Sequence, residues 1–556
     1  MVGGLEAELI NVLAVFIIAA AVGVFVAKYA DVPYTIALLV AGFGASIAGV
    51  HIGIQLTHDI ILLVLLPPLL FEGAATTDLD EFQRNFPIVA LLAIVGLLVS
   101  IVAVGAAVHL WLGFPVLLAL LLATMLLPTD PVSVLALFEE IGAPDRLSVL
   151  VEGESLLNDG VAVVLFTALF ELIQTNADPS TLTTLSGLVG IGVDILVSAL
   201  GGAAVGLLVG YVIYRVMVNL DEHMTEIVLT IILAYGSFLL AEHYLHVSGV
   251  IATVVAGLFM GNRGREYAMS AQTKVSVFST WETAAFIVNT FIFLVIGAQT
   301  PVRQLFEFAY LLVPAIAFVL AGRALGVYPL TWLANRLLVR EDVSLDYQHV
   351  LVWGGLHASI PIALVLGLPA AFPYRGEMRV IVFGVAAFSL VVQGLTVGRL
   401  VDYLGIARVT EQERLYQLLM GRARAVDAVL ETADDLRRTN RISQDVYERF
   451  TAEYEAEKED LNETIGRLLR ENPALLDRER LGGERQLLTR ERAAIQDAEH
   501  DGLIATDVAD DLLQEVNLKL DRVDEGTTTV LESDDQEGYE EYWRIRAREQ
   551  GLLDEE

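Results

Sequence analysis

The chain contains no cysteine, which excludes a disulfide framework, a thiol nucleophile and a thiolate metal site, and leaves the redox compartment open. Lysine is scarce as well. Lys28, Lys274, Lys458 and Lys519 are the only four, while arginine and acids are plentiful and the formal net charge is −34. Such a balance suits a protein that stays soluble in concentrated salt, and it points to a halophile. A surplus of acid argues against nucleic acid as a partner, because the phosphate backbone repels it. The N-terminus lacks a positively charged n-region, and no small-residue cleavage site follows the apolar run from Leu9 to Val26. That run therefore reads as a first transmembrane helix rather than a signal peptide.

What is present is apolar: 55% of the 556 residues are hydrophobic, and the mean hydropathy is +0.60. High hydropathy beside high net charge requires two differently solvated regions in one chain. The boundary falls near residue 408. Residues 1–408 hold 15 Lys+Arg against 30 Asp+Glu, and residues 409–556 hold 20 against 39, a net charge of −19 for the second region.

Runs of roughly 20 apolar residues separated by short polar turns are what a bundle of bilayer-spanning helices requires. Thirteen are expected, at 8–28, 32–50, 59–74, 86–111, 115–139, 147–174, 186–214, 223–245, 248–262, 275–299, 305–335, 347–371 and 377–399. Basic residues concentrate in cytoplasmic loops and supply an independent check. With the N-terminus outside, Lys28, Arg84, Arg146, Arg215, Arg263, Arg265, Lys274, Arg336, Arg340, Arg399 and Arg408 fall inside. Arg303, Arg375 and Arg379 fall outside, and Arg323 is left within a span. This asymmetry favours an odd number of spans and a cytoplasmic C-terminal region.

Two spans are broken at corresponding places, if spans 1 to 6 and 8 to 13 are repeats separated by span 7. The fifth contains Pro128-Thr129-Asp130-Pro131, and the twelfth contains Trp353-Gly354-Gly355-Leu356-His357-Ala358-Ser359-Ile360-Pro361. Paired discontinuous helices point to a midplane ion site, where unwound backbone and helix ends present partial charges. After Arg408 the sequence becomes charged and helix-favouring, as in Glu411 to Leu436 and Val446 to Leu469, with a break expected at Gly482-Gly483 and a loose segment from about Asp524 to Gly538. A solvated acidic surface is the bland reading of this region; regulation or partner binding is the alternative.

Asp159 lies beside Asn158 deep inside an apolar stretch, and Asp130 is a second acid in the preceding span. Charges in lipid are expensive, so such residues mark a transport path by default. On a helix Ser155 and Asp159 share a face, and Glu154 and Asn158 form the adjacent pair. One face can hold an ion while the other braces it. The oxygens available to a small hard cation are the Asp159 and Asp130 carboxylates, the Ser155 hydroxyl, the Asn158 amide oxygen and the Thr129 carbonyl freed by the helix break. A buried carboxylate is neutralised by a proton or by a cation, one at a time, and that mutual exclusion couples the two fluxes. With one charge bound in either form, exchange moves no net charge across the membrane.

Arg323, within a span, needs a partner, and Glu154 is the candidate because a lone buried cation is costly. Glu72, in Phe71-Glu72-Gly73, either draws cations into the cytoplasmic mouth or simply reaches water. His243, His246, Glu171, Asp194 and Glu226 sit near expected span ends and read as wetted, and Glu282 either lines a funnel or faces the cytoplasm.

At these residues the chain resembles the cation:proton antiporter superfamily, specifically the prokaryotic sodium/proton antiporters related to animal sodium/proton exchangers. The likeness rests on Phe71-Glu72-Gly73, Pro128-Thr129-Asp130-Pro131, Glu152-Gly153-Glu154-Ser155-Leu156-Leu157-Asn158-Asp159, Ser248-Gly249-Val250 and Arg323, across roughly residues 8 to 400. The resemblance implies an all-α polytopic fold of about 13 transmembrane helices, with inverted repeats, two discontinuous helices, a dimerisation domain and a mobile core. It implies a homodimer working by alternating access on Na+ and H+, with no cofactor. Asp159 is then the principal ion and proton carrier. Asp130, Ser155 and the Thr129 backbone are implied ligands, Asn158 a site-shaping residue, and Glu154 with Arg323 the stabilising pair. The Asn158-Asp159 pair is similar to that of the electroneutral branch.

One departure stands out. Members commonly carry arginine in a Gly-Gly-Leu-Arg-Gly pattern in the twelfth span, and this chain has His357 there, followed by Ala358. A titratable group replaces a permanent charge, so His357 is a candidate for pH tuning, with a neutral, hydrogen-bonded histidine as the alternative. The leading expectation is thus a secondary antiporter in the cell membrane that exchanges Na+, with Li+ or K+ as further candidates, for protons. A cation channel, an intramembrane aspartyl hydrolase and a sensor coupled through the acidic C-terminal region are the competing readings. Paired broken helices favour the transporter over the channel.

Overall fold

The computed structural model describes residues 2–29, 33–48, 57, 59–131, 134–135, 137–138, 142–175, 185–218, 220, 222–300, 302–337, 342–357, 359–406, 411–500 and 502–524. The chain divides into two compact units, Met1–Arg408 and Val409–Glu556. Among the described residues both are helical, and the extended pairing in them is one isolated antiparallel bridge, between Asp130 and Leu356.

The first unit contains α1 (Val2–Tyr29), α2 (Tyr34–Ile47), α3 (Ile60–Thr76), α4 (Leu79–Leu112) and α5 (Val116–Leu126). It continues through α6 (Asp145–Gln174), α7 (Leu185–Met217), α8 (His223–Tyr244), α9 (Gly249–Phe259) and α10 (Ala271–Gln299). α11 (Ala309–Leu337), α12 (Leu345–Trp353), α13 (Ser359–Leu366) and α14 (Arg375–Leu404) follow, with short helical segments at Arg265–Tyr267 and Val302–Glu307 between the longer ones. Seven described helices are long and apolar enough to cross a membrane: Leu79–Leu112, Asp145–Gln174, Gly192–Met217, His223–Tyr244, Thr273–Gln299, Ala309–Leu337 and Arg375–Leu404. Shorter apolar helices, Leu13–Val26, Tyr34–Ile47, Ile60–Thr76 and Val116–Leu126, accompany them. The chain is a multi-pass membrane protein.

Helix ends follow local chemistry. Ser248 caps α9 by accepting from the Ile251 amide at 3.2 Å, and Asp78 caps α4 by accepting from the Glu81 amide at 3.0 Å. Each satisfies a backbone donor that the first helical turn leaves unpaired. α4 ends at Gly113, whose φ of 75° is the left-handed conformation that stops helices cheaply. α6 lies close against α9, and a Cβ at Gly160 would stand 2.7 Å from Ile251 Cγ1. Only a missing side chain lets the two approach so nearly, one residue beyond Asp159.

The second unit contains α15 (Glu411–Arg438), α16 (Gln444–Glu471), α17 (Pro473–His500) and α18 (Thr506–Asp524). α15 and α16 share a seam of Leu419, Ile465, Leu468 and Leu469, with Arg422 bonded to both Glu457 carboxylate oxygens at 2.6 and 2.9 Å. The break expected at Gly482-Gly483 does not occur, because α17 runs through both glycines. Each costs about 1 kcal/mol against alanine in a helix. The seam of Leu481 and Leu488 with Val516, Leu520 and Val523 outweighs that cost, since each buried aliphatic side chain contributes about 1.5–3 kcal/mol. The loose segment expected after Asp524 lies outside the described residues.

Candidate ion site between two helix breaks

Helix α6 carries the polar residues of the site into the interior. Glu152, Glu154, Ser155, Asn158 and Asp159 are all buried on it. The Thr-Asp-Pro segment approaches from the end of α5, which stops at Leu126 because Pro128 and Pro131 cannot continue the hydrogen-bond ladder.

Thr129 is the hub. Asn158 Nδ2 donates to Thr129 Oγ1 at 2.8 Å, and the Asn158 amide oxygen faces the Thr129 N–H at 3.4 Å. Ser155 Oγ lies 3.1 Å from Thr129 Oγ1 and also donates to the Thr129 carbonyl. Both ends of the Asn158 amide are thereby engaged by one residue.

Asp159 is different in kind. It is 8% exposed, and among the described residues its Oδ1 is buried with no hydrogen-bond partner. A buried carboxylate oxygen without a donor is costly unless a cation or a proton completes it. Asp130 has a fixed backbone, donating its N–H to the Leu356 carbonyl at 2.7 Å, and Ser359 Oγ donates to its Oδ2 at 3.3 Å.

The structure brings Glu154 and Arg323 together. Both Arg323 terminal nitrogens donate to the Glu154 carboxylate, the longer contact being 3.2 Å, and Nη2 also donates to the Leu351 carbonyl at 2.7 Å. The two residues are 3% and 7% exposed. Gly355 makes room for the guanidinium, since a Cβ there would stand 2.8 Å from Arg323 Nη2. A cavity of about 10 Å3, near the size of one water or small ion, is lined by Thr129, Asp130, Glu154, Ser155, Arg323 and Gly355. Asp159 does not line it.

His357 is buried, with Nδ1 2.9 Å from the Pro128 carbonyl. A carbonyl only accepts, so Nδ1 carries a proton. Glu72 is half-buried on α3, next to Gly73, where a Cβ would lie 3.5 Å from Glu152 Oε1. His243, His246, Glu171, Asp194 and Glu282 are exposed, whereas Glu226 is 1% exposed and so is not a wetted end residue. Sequence reasoning gave no role to Ser359, Ser389, Gly355 or Glu152. Ser359 and Gly355 lay inside the recognised break, but serine and glycine are too common for type alone to single them out.

The chain is thus a multi-pass helical protein in which residues 127–131 and 354–357, both outside regular helix, meet at a buried cluster of oxygens. The chain belongs to the sodium/hydrogen exchanger family, whose transmembrane profile matches residues 13–403. It is 38% identical over 405 residues to the Na(+)/H(+) antiporter ApNhaP of Aphanothece halophytica, covering 72% of this chain and 75% of that protein. It is 32% identical over 514 residues to the Na(+)/H(+) antiporter NhaG of Bacillus atrophaeus, covering 90% of this chain and 95% of that one. The latter similarity is too long for the first unit alone and extends into the second. Among solved structures, the sodium proton antiporter MjNhaP1 of Methanocaldococcus jannaschii shares the fold with a TM-score of 0.56 at 18% identity, covering 72% of this chain and 98% of that one.

Proposed function

We propose that the protein is a secondary antiporter exchanging Na+ for H+ across the cell membrane by alternating access, with the two cations competing for Asp159. The observation that carries this is the buried Asp159 carboxylate, whose Oδ1 has no hydrogen-bond partner among the described residues, on the helix that brings Ser155 and Asn158 to Thr129. Na+ or a proton can satisfy that oxygen, and occupancy by one excludes the other.

In this reading Asp159, Asp130, the Ser155 hydroxyl and the Thr129 carbonyl are the ligands of the transported ion. Asn158 shapes the site, as its amide is already spent on Thr129. Glu154 and Arg323 hold their spans together, and Glu72 belongs to the access funnel. Li+ and K+ are further candidate substrates. Because Asn158 is not a second acid, one cation exchanges for one proton and no net charge moves.

The proposed architecture has 13 spans in inverted repeats. The fifth and twelfth spans are discontinuous, the first across residues 127–131 and the second between α12 and α13. Residues 1–408 form the exchange domain of a homodimer, the N-terminus lies outside, and residues 409–556 form a cytoplasmic helical domain whose acidity suits a halophile. The test is Na+-dependent proton flux in reconstituted vesicles, compared across Na+, Li+ and K+ over a range of pH. Asp159→Asn abolishes it; a variant that still exchanges at the parent rate removes the basis of the reading.

A further inference from the structure

The two helix breaks are not merely adjacent; three bonds stitch them together. The Asp130 N–H donates to the Leu356 carbonyl at 2.7 Å, His357 Nδ1–H donates to the Pro128 carbonyl at 2.9 Å, and Ser359 Oγ donates to Asp130 Oδ2 at 3.3 Å. Residues 356, 357 and 359 thus grip 128 and 130 from both sides of Thr129.

His357 is itself locked in place. Its N–H donates to Ser389 Oγ at 3.0 Å, and the Ser389 hydroxyl lies 3.1 Å from its carbonyl. Ser389 is fully buried in α14. The imidazole therefore has a fixed root and, among the described residues, one polar contact in the break, and it is 1% exposed.

We propose that His357 is a positioning residue that sets cation preference: through the Pro128 carbonyl it fixes the Thr129 carbonyl and the Asp130 carboxylate at one geometry, sized for one monovalent ion. This rests on the exchange reading above. Cavity size and ligand rigidity decide between cations of equal charge. Thr129 is held by Ser155 and Asn158 and Asp130 by Leu356 and Ser359, so release of the Pro128 carbonyl loosens the segment just before Thr129, where no other of the three bonds acts. The short side chain of asparagine can place an amide nitrogen where Nδ1 now stands, whereas glutamine carries its amide one bond farther out and leucine has no donor.

The experiment compares the full-length parent with His357→Leu, His357→Asn and His357→Gln in vesicles, measuring proton flux against Na+, Li+ and K+. His357→Leu is expected to raise the apparent KM for Na+ about five- to thirty-fold, the consequence of one lost buried hydrogen bond. It should also bring the Na+ and K+ values together, while the maximal rate changes far less. His357→Asn restores the Na+ KM and the discrimination. If all three variants keep the parent's KM ratio, or if folded His357→Asn fails to recover what His357→Leu loses, the positioning role is wrong. Should His357→Leu not fold, a difference between His357→Asn and His357→Gln supports the role and equality overturns it. A parent without Na+-dependent proton flux is a separate result, which removes the exchange reading and this inference with it.

Discussion

The Glu154 and Arg323 pair makes the sharpest prediction because its surroundings leave few alternatives. Both side chains are almost wholly buried, and the guanidinium is bound by two carboxylate oxygens and by the Leu351 carbonyl. Glu154→Gln leaves a full positive charge in the interior with one amide oxygen in place of a carboxylate. Breaking a buried pair from one side costs about 3–5 kcal/mol, because the surviving charge cannot reach water. Replacing both residues by neutral ones of similar volume, Glu154→Gln with Arg323→Met, is near neutral by the same reasoning. The two changes should therefore couple strongly, the double variant being more stable than either single one by several kcal/mol. Thermal unfolding of the purified protein measures stability, and vesicle flux measures transport. Two outcomes refute the argument: a Glu154→Gln cost below about 1 kcal/mol, or additive single effects. A stable double variant that no longer transports shows instead that the pair acts in the ion path and not only as a brace.

Gly355→Ala adds a Cβ 2.8 Å from Arg323 Nη2, and because the guanidinium is held on three acceptors the clash costs about 1–3 kcal/mol; an unchanged unfolding midpoint shows the arginine free to move. Asn158→Asp supplies a second titratable acid and should make exchange generate a membrane voltage, read with a potential-sensitive dye in vesicles; an exchange that stays silent in voltage counts against the proposed charge accounting. In the second unit, the Glu457 carboxyl is held below its ordinary range by its hydrogen bonds and charge contact with Arg422. That interaction stabilises the fold above the ordinary carboxylate pKa and is lost as pH falls through the lowered one. Glu457→Gln should flatten this acid limb in far-ultraviolet circular dichroism, more visibly at low salt because the pair is exposed. An acid limb identical to the parent's places the pH dependence elsewhere.

What could be read from the chain was whatever lipid or burial penalises. Apolar runs located helices such as α6 and α8 closely, because both the lipid-facing and the buried sides of such a helix must be apolar. Arg323 and Glu154 stand 169 residues apart, and only the cost of a lone buried cation links them at the level of sequence. The Gly482-Gly483 expectation failed where propensity was weighed without packing. α18, whose Val516 and Val523 continue the seam, is what carries α17 through. The bonds of Ser389 to His357 and of Ser359 to Asp130 were out of reach for another reason. A serine in a membrane helix usually satisfies itself on its own preceding turn, as Ser100 does in part with the Gly96 carbonyl at 2.7 Å. Which serine turns to another element is decided by approach, and approach is a property of the folded bundle.

The departure at residue 357 bears on how the breaks are held. An arginine there would bring a permanent charge into a region that already contains the Arg323 guanidinium. That charge would need a counter-ion beyond Glu154, which both terminal nitrogens of Arg323 occupy. Histidine supplies a donor to the Pro128 carbonyl without requiring a charge. The acids left for the transported ion are then Asp130 and Asp159, and in the proposed exchange their total charge is the same whichever cation is bound. A membrane potential acts on moved charge at about 2.3 kcal/mol per elementary charge per 100 mV, so an exchange that moves none is driven by the two concentration gradients alone. In that exchange the histidine at residue 357 clamps the first break through the Pro128 carbonyl without adding a permanent charge.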